Sequence, residues 1–414
     1  MNTYRFISVI ILASLLSGFT GCQKQQPQTL EEVLMLYRQN KLEQALPLFK
    51  YLVAHDIDNP EKCVWLAETY RRLGKKEEAM KTARRALVLD PRSSFAHTII
   101  AEASNPVVGE WPQANSDTTW VHLMKAIECD STDGHPWLLI FGEAMHRGEP
   151  EMMRRSLRSL MGSGFLTKAA LAYGRWMLRA LPENAILLTN GDMDTYPPCA
   201  VQEVEGFRKD VVIVNRGTLE TKWHARFIRD YTGVSLPVDD AWLEQFKAYR
   251  NSQGNLVTLS DEIFRKWIEQ KSKGSFHRPI AVAVTVEERY WSEIKNNMRF
   301  AGAFLQWQDT PVAKTVDTAS MLKSLEGVSP DSFTGHWVSE RDRSPIRRMY
   351  TKNLVRNVTE TAIGCGELLL GARQISEANR WASWADELDR NAELGPVFTE
   401  RIAQLKEGIA KATR

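Results

Sequence analysis

The 414-residue sequence has little of what marks the specialised classes of protein. Five cysteines are too few for a scaffold built from disulfides. Lys and Arg number 53 against 51 Asp and Glu, with no sustained basic run, so there is no electrostatic footprint for nucleic acid. No apolar run approaches the ~18 residues of a membrane-spanning helix. Together with 17 prolines and a mean hydropathy of −0.34, that excludes a polytopic membrane protein. Familiar catalytic motifs are missing too: there is no G-x-S-x-G, H-E-x-x-H, phosphate loop, or G-x-G-x-x-G after a strand. The histidines His55, His97, His122, His135, His146, His224, His277 and His336 are dispersed, and only His224 follows a strand end. What remains, 43% hydrophobic and 25% charged, is ordinary globular composition. At roughly 150 residues per domain it is enough for two or three cores.

The N-terminus departs from that picture. Phe6 to Leu16 carries no charge, and Ser17-Gly18-Phe19-Thr20-Gly21-Cys22 follows. The run is too short to anchor as a helix across ~30 Å of hydrocarbon and fits a signal-peptide core. Thr20 and Gly21 before Cys22 resemble the lipobox of bacterial lipoproteins, with Phe19 where leucine is usual. The resemblance implies a signal peptide over 1–22, a lipid on Cys22, and a polar tether over 23–28. No aspartate follows Cys22, which in the enterobacterial pattern favours the outer membrane. Cys63, Cys129, Cys199 and Cys365 have no CxxC partner and read as buried thiols.

From 29 to 182 the apolar spacing is helical and repetitive. Ala67, Tyr70, Gly74, Ala79, Ala86 and Pro91 stand at the positions of a helix–turn–helix unit, and Ala45 lies 34 residues before Ala79. This resembles the tetratricopeptide repeat. A further unit spans Ser94 to Cys129, interrupted by a loop from Asn105 to Asp117, and another spans Trp137 to Leu160. Leu166 to Leu181 is expected to cap the array. Such an array implies a protein partner.

From 183 to 320 continuous apolar runs take over, and they predict buried strands at Ala185–Thr189, Val211–Asn215 and Pro279–Val286, with an edge strand at Phe300–Trp307. Helical segments between them predict a small parallel sheet, so the overall class is α+α/β: a helical-repeat array, a parallel-sheet α/β domain, and C-terminal helices. In such sheets ligands bind beyond the carboxyl ends of the strands. Asn190, Asp192, Asp194 and Thr195 end the first strand, Asn215 and Arg216 the second, and Thr285 the third. Asp192 and Asp194 would suit a divalent cation or sugar hydroxyls. They would equally serve as a turn and a cap for a helix that begins near Pro197-Pro198, and spacing favours that simpler role.

Two stretches carry a further resemblance. Ile186-Leu187-Leu188-Thr189-Asn190-Gly191-Asp192-Met193-Asp194-Thr195-Tyr196-Pro197 leads into Gln202-Glu203-Val204-Glu205-Gly206-Phe207-Arg208-Lys209-Asp210, and Arg278 to Val286 follows later. Over 183–390 the chain resembles the soluble C-terminal region of a bacterial membrane family related to protein O-mannosyltransferases. The glycosyl-transfer chemistry of that family belongs to its membrane half, so the resemblance implies an accessory module. Residues 345–410 read as a helical hairpin with a last helix, with Trp381 and Trp384 in its core, and the Asn357-Val358-Thr359 sequon as a helix surface. The sequence thus predicts a lipid-anchored, non-enzymatic binding or scaffold protein of the bacterial envelope, without cofactor and with the metal undetermined. A protein would bind the repeats and a small polar or sugar ligand the strand ends. The competing reading is an enzyme acting on sugar or phosphate through Asp192 and Asp194.

Overall fold

The computed structural model describes residues 29–107, 112, 114–334, 339 and 341–414; Cys22, the signal segment and the tether lie outside them. Eight helices come first, in four consecutive pairs: α1 (Leu30–Arg38) with α2 (Leu42–His55), α3 (Pro60–Arg72) with α4 (Lys76–Leu89), α5 (Ser94–Ser104) with α6 (Ser116–Cys129), and α7 (Gly134–Arg147) with α8 (Pro150–Gly162). Lys76 opens α4 34 residues after Leu42 opens α2, and Pro150 opens α8 34 residues after Ser116 opens α6. The longer step between Lys76 and Ser116 accommodates the loop after α5. Helix starts are fixed by side-chain caps: Asn59, Ser93, Asn115 and Asp133 each accept a backbone N–H from the first turn, contributing about 1 kcal/mol apiece. Gly74 and Gly148 end α3 and α7 with φ of +73° and +69°, a conformation that costs other residues a Cβ clash. Ala45, Ala67, Ala79 and Ala86 are fully buried, which lets neighbouring helices approach closely.

Helix α9 (Lys168–Arg179) does not cap the array. Its Tyr173, Trp176 and Met177 are buried in the same core as the sheet. The chain then runs through β1 (Ile186–Thr189), α10 (Asp192–Glu205), β2 (Val212–Asn215), α11 (Lys222–Thr232), α12 (Asp240–Gln245), a ribbon of β3 (Tyr249–Arg250) and β4 (Leu256–Val257), and α13 (Leu259–Ser272). It continues with β5 (Ile280–Ala283), β6 (Met298–Phe300), β7 (Phe304–Trp307) and α14 (Thr318–Leu325). The main sheet has the order β2-β1-β5-β7-β6, with β1 parallel to β2 and to β5.

Three expectations are corrected. The sheet is mixed rather than parallel, because β7 runs antiparallel to both β5 and β6. The segment expected as one edge strand is a hairpin: Gly302, at φ +94°, turns the chain between β6 and β7, and so short a connection joins only antiparallel strands. Helix α10 starts at Asp192, before Pro197 and Pro198 rather than after them. Gly174 of α9 backs onto that Pro-Pro bond, where a Cβ would lie 2.7 Å from the Pro197 carbonyl carbon.

Helices α15 (Pro345–Gly371), α16 (Ile375–Ala392) and α17 (Pro396–Thr413) close the chain. Trp381 is buried and meets Trp384 edge-on at 5.8 Å. Val358, Ile363, Ala382 and Leu388 share one core with Trp176 and Phe304, so the short strands gain most of their apolar burial from helices on either side, at about 1.5–3 kcal/mol for each fully buried large side chain. Thr359 of the sequon is fully buried and donates to the Val355 carbonyl, so this turn of α15 is not a helix surface. Among the thiols, Cys63 and Cys365 are buried, Cys129 and Cys199 half-buried, and all four are free. Among the described residues no helix is long and apolar enough to cross a membrane.

Candidate ligand-binding site

At the carboxyl ends of β1 and β2 the polar side chains mostly satisfy one another. Asp194, in the first turn of α10, accepts the backbone N–H groups of Asn190 and Gly191, each at 2.8 Å, and the hydroxyl of Thr285. Burial pushes its carboxyl above the usual range, against these donors. Thr195 shares a hydrogen bond with the Thr189 hydroxyl at 2.7 Å and accepts from Asn215 Nδ2 at 3.2 Å. Asn215 Oδ1 in turn accepts the Thr218 N–H at 3.1 Å. Arg216 points elsewhere: its guanidinium lies 3.8 Å from the centre of the Tyr290 ring and donates to Glu220 and Ser260. Asn190 and Asp192 are exposed. The strand ends therefore gather Asp194, Thr195 and Asn215, and leave Asn190, Asp192 and Arg216 outside that cluster. Among the described residues no group of three His, Cys, Asp or Glu side chains could hold a metal ion.

A cavity of about 390 Å³ opens on the other side of Thr195 and Asn215, between α7, α8, α10, β2 and α11. Phe141, Met145, Met153, Leu157 and Phe227 make its walls apolar. His224 lines it, is 3% exposed, and neither ring nitrogen has a hydrogen-bond partner. Burial holds the imidazole down to about 3, so it is neutral. Cys199 also lines the cavity, its thiol pushed up to about 12 by burial. Sequence reasoning puts His224 near the strand ends but reads it as a helix-surface residue rather than a base, and its burial corrects that reading. The signal was its spacing with Phe227, Ile228 and Tyr231, which places it on the apolar face of α11.

The array has its own prepared surface, on the first helices of the pairs. Glu68 is fully buried, with Tyr37, Arg71 and Arg72 donating to it, and Arg71 also reaches Glu102 at 3.1 Å. Burial opposes ionisation of Glu68, but Arg71 outweighs it and holds the carboxyl below its usual range. Onto this face comes the chain's own segment before α15. Arg341 pairs with Asp130 at 2.6 Å, Arg343 with Asp133 at 2.8 Å, and the Tyr37 hydroxyl shares its one hydrogen between Glu68 and the Arg343 carbonyl, 3.1 Å away. Arg343 also covers Phe95, 4.2 Å from its ring centre.

The motif from Gln202 to Asp210 is structural. Gln202 Nε2 donates to the carbonyls of Arg208 and Val211, Gly206 ends α10 at φ +68°, and Asp210 accepts the Asn184 N–H. Arg208, itself at φ +53°, donates to the carbonyls of Leu178, Leu181 and Pro182. These bonds tie the entrance of β2 to the α9–β1 connection.

Two family models match separate parts of the chain. A family model described as tetratricopeptide repeat matches residues 36–102. Another, described as TMEM260-associated domain 2, matches residues 170–274, which run from α9 to just past α13 and include the first motif but not the Arg278 to Val286 strand. Among solved structures, a thermophilic TPR protein of Thermus thermophilus, TTC0263, aligns at 16% identity over 52% of this chain and 93% of its own, with a TM-score of 0.32. A MamA protein aligns at 14% identity over 51% and 100%, with a TM-score of 0.28. No curated protein matches the chain. Residues 36–102 thus match the tetratricopeptide repeat in sequence, and the helix pairs of the whole N-terminal block are repeat-like.

Proposed function

We propose that this chain is a non-enzymatic scaffold of the bacterial cell envelope, held at the outer membrane by a lipid on Cys22, with its repeat array taking a protein partner. The observation that carries the scaffold reading is the tetratricopeptide match over 36–102, on helices that pair at a 34-residue step. The anchor rests on the Thr20-Gly21-Cys22 sequence, and we place the scaffold in a glycan-related setting on the resemblance over 183–390. The clasp of Arg341 and Arg343 on Asp130 and Asp133 supports the reading further, since the array already holds one non-helical segment by its side chains. The first two repeats, where Tyr37 is the end of that clasp, are the surface available to a partner.

A photo-crosslinking residue placed at exposed Arg38 or Lys75, in cells with an intact envelope, is expected to capture a discrete protein adduct that the same residue at exposed Lys411 does not. Equal or absent adducts at all three positions refute the array as the partner site. Replacing Cys22 with Ala is expected to abolish lipid labelling and release the protein from the membrane fraction. Persistence of both would remove the anchor from the proposal.

A further inference from the structure

The place on the array that receives Arg341 and Arg343 is set by the array itself. Asp130 follows α6 and Asp133 caps α7, so both carboxylates belong to one connection between helices. Each is held there through one oxygen. Asp130 Oδ1 accepts the Thr132 N–H at 3.0 Å and the Thr132 hydroxyl at 2.6 Å, and Asp133 Oδ1 accepts the His135 N–H at 3.1 Å. The second oxygen of each is the one that takes a guanidinium: Asp130 Oδ2 accepts from Arg341 at 2.6 Å and Asp133 Oδ2 from Arg343 at 2.8 Å. Thr132, ahead of Arg341, holds the Asp130 carboxyl below its usual range, so the connection keeps its charge without the clasp.

The arginines are the separable half of the contact. Asp342, between them, is buried, accepts the Ser344 N–H and lies 3.2 Å from Arg347 Nε at the start of α15. The segment is thus secured to its own helix through Asp342, and to the array through the two arginines on either side of it. The Arg341 side chain is 50% exposed in its pair, and ion pairs open to water stabilise little. Arg341 and Arg343 are the only ion-pair partners of Asp130 and Asp133 among the described residues, so withdrawing them leaves two adjacent carboxylates without a cation.

Resting on the reading that the array takes a protein, we propose that the α6–α7 connection is a second contact for that partner, which binds there through two arginines separated by one residue, and that Arg341 and Arg343 hold the place in competition with it. The charge and spacing of the occupant are those the chain itself supplies. Arginine is selected over lysine: Arg341 forks to the Thr132 hydroxyl at 2.7 Å and to Asp130 through different nitrogens, and Arg343 lays its planar group 4.2 Å from the Phe95 ring centre while reaching Asp133. A segment tethered in place competes at an effective concentration on the order of millimolar, so the partner's arginines bind the closed chain weakly and the opened chain well.

The probe is a peptide with blocked ends and the chain's own sequence from Ser339 to Ile346, titrated into the full chain by calorimetry. Arg341→Gln with Arg343→Gln in the full chain is expected to tighten its binding by about tenfold or more over the unaltered chain. Adding Asp130→Asn and Asp133→Asn to that open variant is expected to abolish the binding, while asparagine keeps the cap on α7. The same peptide carrying Arg341→Gln and Arg343→Gln is expected to bind none of the three chains. Absence of saturable binding to the open variant at low-millimolar peptide overturns the proposal. So does equal affinity for the open and unaltered chains, binding that the asparagine pair leaves unchanged, or equal binding of the glutamine peptide. If the open variant fails to fold, Arg341→Gln alone, at a half-exposed position, takes its place with the same outcomes. Crosslinking at Arg38 and Lys75 tests the array reading separately: adducts there without peptide binding keep the array as the partner site and remove the α6–α7 connection from it.

Discussion

The repeat array and the α/β body bury ionisable groups in opposite ways. In the array, Glu68 is buried and Glu102 half-buried against Arg71 and Arg72, charge against charge. In the α/β body, Asp194 is buried among neutral donors only, and His224 among none. The consequence is visible in the directions of their ionisation: Glu68 and Glu102 are held below the usual carboxylate range, Asp194 above it. Buried carboxyl groups thus take opposite shifts because cations stand beside them in one place and only dipoles in the other. The array carries its buried carboxylates on helices that repeat, whereas the sheet uses one to close its strand ends.

The largest effect is expected where the charges are paired. Glu68→Gln leaves Arg71 and Arg72 buried with half their counter-charge, and should destabilise by about 3–5 kcal/mol in denaturant unfolding. Asp194→Asn keeps the volume but sets an amide against two backbone donors, at about 1–3 kcal/mol. If Asp194→Asn costs as much as Glu68→Gln, the contrast between the two regions fails.

Stability against pH sharpens the same contrast. The folded pKa values of Glu68 and Glu102 lie below 4.5, so their contribution is present above 4.5 and lost as pH falls through the folded values. That of Asp194 lies above 3.8, so its contribution is full below 3.8 and lost as pH rises through the folded value. Melting temperatures across the acid range should therefore show Glu68→Gln flattening the loss on acidification, and Asp194→Asn flattening a change of the opposite sign. His224 adds a third slope: its contribution is present above 6.5 and lost as pH falls toward about 3. His224→Phe is expected to remove that slope and to change stability at neutral pH least of all, by less than about 1 kcal/mol, since no hydrogen bond is broken.

Much of the architecture was legible because it is local. The 34-residue step between Ala45 and Ala79 identifies a repeat without any long-range information, and Gly74 marks a helix end by its backbone freedom alone. Strands β1, β2 and β5 show as apolar runs closed by Asn190, Asn215 and Thr285. What the sequence hid depends on packing between distant segments. Helix α9 looks like one more array helix, yet Gly174 commits it to the Pro197–Pro198 bond. The prolines argued against a helix over Asp192 to Pro198, but α10 accommodates them in its first two turns. At the candidate site, Thr195 and Asn215 meet because both follow adjacent parallel strands, which the strand-end rule anticipates. The cavity they border could not be read, since it requires α7 and α8 to stand beside α11, and no local pattern specifies that neighbour.

The clasp between Arg341 and Asp130 joins residues 211 positions apart. A chain delivered from its N-terminus completes all four helix pairs before Arg341 and Arg343 exist to cover them. For that interval the acidic face with Asp130 and Asp133 stands open, and the ring of contacts closes only when the last quarter of the chain arrives. The array is thus the first part able to fold and the last to reach its final surroundings, so the order of synthesis itself gives its inner face a period of exposure that the finished molecule no longer has.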